Sequence, residues 1–208
     1  MKFISNIGSY KHTIIFIHGY NKNAINWNIS ETGKELNIEH AIAKVANTVL
    51  ISMDSNDYKN SITSNSEQIY LYLHETSLIT TKLTCVGHSF GCFNCLRLAE
   101  LYPNAFERLL LIDPTVKSEP YYAYLKETNS VDKLNYWDDI PDMQHLKNKV
   151  IVRVHLNVLE GIAHLQELSV LTNKNIKSRL MVHYNVGHMI HYKIPEVIFD
   201  SIKEIYKL

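Results

Sequence analysis

Three short stretches carry residue types suited to nucleophilic acyl transfer. The first is Gly87-His88-Ser89-Phe90-Gly91, directly after an apolar run at 82–86 and opening a second apolar stretch that ends near Leu101. A G-x-S-x-G turn between strand and helix forces its serine into a strained backbone conformation, and the flanking glycines remove side chains that would clash. The Ser89 hydroxyl is then presented at a helix N-terminus, whose dipole favours developing negative charge. Taken bare, the pattern also describes an ordinary glycine-rich turn, and its meaning comes from the strand and helix on either side. The second stretch is Gly187-His188-Met189-Ile190-His191. A serine nucleophile needs a base, and an imidazole on a late loop supplies one. His188 takes that role first because it follows Gly187 at a strand end, with His191 as its competitor. The third is His18-Gly19-Tyr20. Two backbone donors must face the oxyanion; Tyr20 N–H and Phe90 N–H are the natural pair, and His18 itself reads as structural.

Positioning these residues requires a particular scaffold. Short, β-branched apolar runs at 13–17, 48–53, 82–86, 108–112, 150–156 and 178–184 read as strands covered on both faces. Amphipathic stretches alternate with them, the pattern of βαβ units and a parallel sheet. Ser64 with Glu67 suggests a capping box ahead of a helix over 68–74. The helix after Ser89 is apolar almost all round and ends before Pro103. A last helix starts at Pro195, with Ile198, Ile202 and Ile205 along one face. The segment 113–148 lacks a clean period and holds Pro114, Pro120 and Pro141 together with Tyr121, Tyr122, Tyr124, Tyr136 and Trp137. It reads as a short lid rather than a second domain.

Composition excludes several other classes. Lys plus Arg number 21 and Asp plus Glu number 21, so no basic face announces a phosphate-backbone partner such as nucleic acid. No stretch reaches the roughly 18 apolar residues a membrane span needs, and 1–10 lacks the apolar core of a signal peptide. Cys85, Cys92 and Cys95 cannot all pair and read as reduced thiols, which points to a cytoplasmic protein. Cys92-x-x-Cys95 falls inside the apolar helix, where cysteine behaves as a small hydrophobe. His183, His188 and His191 lack a carboxylate or cysteine at ligand spacing, so no metal site is expected from them.

In the order His18-Gly19, Gly87-His88-Ser89-Phe90-Gly91, Leu111-Ile112-Asp113-Pro114 and Gly187-His188-Met189-Ile190-His191, the sequence resembles the α/β-hydrolase superfamily over nearly its whole length. The resemblance implies a three-layer α/β/α sandwich with a mostly parallel sheet and a serine–histidine–acid triad. The family sheet has eight strands, and this chain begins too late for the first two. A sheet of about six is therefore implied, in one domain over 1–208 with a lid at about 114–148. The family's usual acid is an aspartate after the strand matching 150–156, where this chain reads Asn157-Val158-Leu159-Glu160-Gly161. Glu160 is one candidate acid. Asp113, at the end of the preceding strand as in some relatives, is the other, and both stay open here.

The expected activity is hydrolysis of a carboxylic ester or thioester through an acyl-enzyme, with a small-molecule substrate and no metal or organic cofactor. A short lid favours small to medium acyl groups, with Trp27, Tyr121, Tyr122 and Trp137 as candidate pocket walls. The same residues would serve amide or carbon–carbon bond cleavage or lyase chemistry. A ligand-binding protein or pseudoenzyme on this fold is the competing class.

Overall fold

The computed structural model describes residues 1–20, 22–106, 108–115, 122–123, 126–127, 137–141, 151–157 and 178–206. One sheet holds β1 (Lys2–Asn6), β2 (His12–Ile17), β3 (Asn47–Ser52), β4 (Lys82–His88), β5 (Arg108–Ile112), β6 (Ile151–Asn157) and β7 (Arg179–His183). Their order is β1-β3-β2-β4-β5-β6-β7. Every neighbouring pair is parallel except β1 and β3. Six of the strands are the apolar runs of the sequence. The antiparallel β1 raises the expected six to seven. Its residues are mostly exposed, and an edge strand paired on one side needs no continuous apolar run to announce it.

The layers follow from burial on both faces. Alternate residues of β2 enter two different clusters. Ile15 and Ile17 join Val49, Ile51, Ile69, Leu73, Phe93 and Leu96 on one face. That face is covered by α2 (Ile62–Glu75) and α3 (Gly91–Leu101). Ile14 and Phe16 join Leu50, Ile38, Ile42, Ile198 and Ile202 on the other, which is covered by α1 (Ile38–Ile42) and by the final helix. That helix comes after the short α4 (Ile190–Lys193) and is labelled α5 (Glu196–Tyr206). Each such side chain, removed fully from water, stabilises the fold by about 1.5–3 kcal/mol. α2 starts a turn earlier than the capping-box reading: Ser61 is the N-cap and accepts the Ser64 N–H at 3.0 Å. Ile62 is wholly buried, and burying it extends the helix past the signal at Ser64.

Two features of the topology place the site. From β2 the chain turns to β3 on one side, then crosses to β4 on the other. The carboxyl ends of β2 and β4 therefore flank a topological switch point, where open α/β sheets form their crevices. Register aligns the loops: Ile17 pairs with Gly87, and His88 pairs with Ile112. His18-Gly19, Ser89 and Asp113 thus lie side by side along one sheet edge. Most of the expected lid is outside the described residues. One described part, a turn at Trp137–Asp139, is fastened to the helices: Asp139 accepts the Thr63 N–H at 2.8 Å, and the Arg97 guanidinium donates to the Asp139 carbonyl at 2.6 Å. Among the described residues no helix is long and apolar enough to cross a membrane.

Candidate active site

Ser89 has φ 51°, a left-handed conformation that a non-glycine residue adopts only under constraint. The constraint comes from both neighbours. A Cβ on Gly91 would lie 2.2 Å from the Ile17 carbonyl oxygen, and one on Gly87 would lie 2.9 Å from the Cys92 nitrogen. The turn is compact because those two positions carry no side chain. Ser89 N–H donates to the Ile112 carbonyl at 3.0 Å, and its own carbonyl accepts the Cys92 N–H at 3.0 Å. The serine is thus held between β5 and the first turn of α3.

The acid beside His188 is Asp113. His188 Nδ1–H donates to Asp113 Oδ2 at 2.6 Å, and the Asn157 N–H donates to Oδ1 at 3.0 Å. Asp113 also has a left-handed φ, 43°, and its N–H donates to the His155 carbonyl at 2.6 Å. A buried carboxylate with both oxygens engaged is well suited to hold an imidazole in one tautomer. Glu160, the other candidate acid, lies outside the described residues. His188 reaches Asp113 on a loop shaped by two left-handed residues, Asn185 (φ 58°) and Gly187 (φ 79°). Its ring centroid lies 4.8 Å from that of His88, the residue before Ser89, so the imidazole and the serine turn share one edge of the molecule.

The loop after β2 closes the other side. A Cβ on Gly19 would lie 3.1 Å from the Ser89 Cβ, a tight contact that glycine avoids, so this backbone can approach closely. The Tyr58 hydroxyl donates to the Gly19 carbonyl at 3.1 Å. In a trans peptide the following N–H points the opposite way, so this bond fixes the plane from which Tyr20 presents its N–H. Rings of Tyr20, Tyr58 and Phe90 pack together, with centroids at 4.4, 5.4 and 6.1 Å. One aromatic cluster therefore steadies both expected oxyanion donors. No sequence motif marks Tyr58 for this role.

A second group was also missed. His18, His88 and His191 converge in the core, each at most 1% exposed, with one nitrogen from each lying within 4.8 Å of the others. Desolvation lowers the His18 pKa to about 3 and pushes His88 and His191 well below the usual imidazole value. All three are therefore neutral at pH 7. Their hydrogen bonds argue against shared ligation of a metal. His18 Nδ1 accepts the Gly19 N–H at 2.8 Å, which assigns its proton to Nε2. A ligating imidazole instead keeps the proton on its far nitrogen and offers the near one.

Trp27 needs correcting as a pocket wall. It is completely buried and packs on Phe16, His18 and His191, with centroids at 5.1, 5.1 and 4.8 Å; it belongs to the core behind the site. Tyr122 is half-buried on a described fragment of the expected lid segment. Tyr121 and the side chain of Trp137 lie outside the described residues. Cys92 and Cys95 are unpaired and buried, and desolvation raises both thiols well above the usual value.

The sequence matches no protein-family model and no curated protein. Its structure is similar to those of several α/β-hydrolases. A structure from work on carboxylesterases of Nitrososphaera gargenis superposes with a TM-score of 0.74 at 11% identity, covering 99% of this chain and 93% of that one. MenH from S. aureus gives 0.69 at 13%, covering 98% and 97%. An esterase from Thermogutta terrifontis gives 0.68 at 13%, covering 99% and 92%. The chain has the α/β-hydrolase fold.

Proposed function

We propose that this protein is a serine hydrolase that cleaves a carboxylic ester or thioester through an acyl-enzyme. The observation that carries the reading is the 2.6 Å bond from His188 Nδ1–H to Asp113 Oδ2, set beside a serine at φ 51°. A binding protein would have little use for a strained serine and a buried carboxylate orienting an imidazole. The esterases of similar structure support the same chemistry.

The assignment gives each group one task. Asp113 holds the Nδ1–H tautomer of His188, which leaves Nε2 as the base. Nε2 takes the proton of Ser89 as Oγ attacks the carbonyl carbon, and the oxyanion forms against Tyr20 N–H and Phe90 N–H. His188 returns the proton to the leaving alcohol or thiol. It then draws a proton from water, whose oxygen attacks the acyl carbon, and returns that proton to Ser89 Oγ as the carboxylic acid leaves. The imidazolium formed at each step is paired with the Asp113 carboxylate, so charge never stands alone. The substrate is a small molecule with a short to medium acyl group.

A panel of nitrophenyl esters and acyl thioesters, run with wild type and the Ser89→Ala variant, tests this reading. Turnover that falls by about 10⁴-fold or more supports it, by analogy with other triads. Equal turnover by the variant refutes it.

A further inference from the structure

We infer that His88 is a positioning residue for His188, acting through a hydrogen bond to the catalytic loop's own backbone; this rests on the hydrolase reading above. His88 Nε2 lies 3.0 Å from the His188 carbonyl oxygen. A carbonyl only accepts, so the bond assigns the His88 proton to Nε2 and leaves Nδ1 without it. Asp113 grips the His188 ring from one side while His88 grips its backbone from the other. The imidazole is thereby held at two points. The loop is otherwise built on two left-handed residues, Asn185 and Gly187, and a Cβ on Gly187 would touch nothing within 4 Å. The Cβ side of Gly187 is open, so the loop leans on Val186, which packs against the core, and on the bonds that hold His188 itself.

The surroundings of His88 keep that donor in place. Its ring is flanked by His18, His191 and His188, with centroids at 5.0, 4.6 and 4.8 Å. His18 donates its Nε2–H to His191 Nε2 at 3.3 Å, because its Nδ1 is already taken by the Gly19 N–H. The trio is therefore a set of neutral imidazoles with assigned protons, running from the loop of Gly19 to the loop of His188. No carboxylate contacts the three rings among the described residues, and a second positive charge beside an imidazolium at His188 is unfavourable. The proton taken from Ser89 stays on His188, where Asp113 awaits it. The residue preceding the nucleophile and the residue three places after the base thus belong to one device.

Two substitutions separate this role from simple packing. Gln places an N–H donor close to where the Nε2–H of His stands, whereas Met fills similar volume without a donor. Turnover is measured per serine titratable with a fluorophosphonate, so that misfolded molecules do not count. His88→Met should lower kcat by about 10- to 100-fold with KM changed less than about 2-fold, since a misplacement near 1 Å costs on that order. His88→Gln should recover kcat to within about 3-fold of wild type. Equal kcat in His88→Met and wild type overturns the inference, as does an equal loss in both variants. Should His88→Met fail to fold, ¹⁵N chemical shifts of wild-type imidazoles decide. A His88 with the Nε2–H tautomer, unprotonated from pH 8 to 5.5, sustains the inference; an Nδ1–H tautomer or protonation in that range ends it. Failure of the hydrolase reading shows separately, as a wild-type protein whose Ser89 does not label.

Discussion

Two sets of histidines a few ångströms apart obey opposite rules. His188 has a side chain that is 40% exposed and a carboxylate at 2.6 Å. His18, His88 and His191 are sealed in the core with other imidazoles and aromatic rings as neighbours. The first site has a carboxylate within bonding reach, whereas desolvation in the second penalises a positive charge. On the proposed mechanism, one residue type thus yields a base that cycles through its charged form and a framework that stays neutral. What separates them is water and a carboxylate, and neither can be read from the histidine's own position in the sequence.

Breaking the charged side should have the largest consequences. After Ser89→Ala, the next severe loss is expected from Asp113→Asn, about 10³- to 10⁴-fold in kcat, because an amide can stabilise the wrong His188 tautomer and cannot balance the imidazolium. Glu160→Gln is expected to retain at least about half of wild-type turnover, since Asp113 already fills the role at His188. Steady-state kinetics on the same ester checks both. If the Glu160 variant lost more than the Asp113 variant, the acid would be reassigned.

Breaking the neutral side should appear in stability. The pKa values of His18 and His155 in the fold are lowered to about 3, and those of His88 and His191 are also well below 6.5. Between those values and 6.5 the unfolded chain binds more protons than the folded one, so stability is fully present above about pH 6.5 and falls as pH drops below it. Each buried histidine contributes a limiting slope of about 1.4 kcal/mol per pH unit. By pH 5 the loss is a sizeable part of a typical domain's whole stability. Urea midpoints at pH 7 and pH 5 measure it, and an unchanged midpoint would mean that these four histidines tolerate charge after all.

Apart from the Glu160 control, the smallest effect expected is at Tyr58. Tyr58→Phe removes only the hydroxyl that holds the Gly19 carbonyl. A bond worth about 1 kcal/mol corresponds to roughly a 5-fold loss, and it should fall in kcat rather than KM if the Gly19–Tyr20 peptide plane serves the oxyanion. A change confined to KM would instead place Tyr58 in substrate binding.

The legible part of this molecule was whatever local chemistry dictates. Gly87 and Gly91 around Ser89 point to a turn that only that backbone can make, and continuous apolar runs mark strands buried on both faces. The strand β1 escaped because an exposed edge strand has no such run. The choice between Glu160 and Asp113 stayed open because register across β4, β5 and β6, not sequence separation, sets Asp113 beside the His188 loop. His18 follows β2, His88 ends β4 and His191 sits in α4, at positions 70 or more apart, and only the sheet order brings them together. Tyr58 acts through its hydroxyl on a backbone carbonyl, a contact that leaves no motif.

Intact-mass analysis after reaction with a fluorophosphonate, followed by peptide mapping, addresses the central claim most directly. One adduct per chain, on Ser89, is expected, abolished in Ser89→Ala and slowed at least about 100-fold in His188→Ala because the base is gone. A folded wild-type protein that takes up no adduct, or carries it on another residue, would contradict the account.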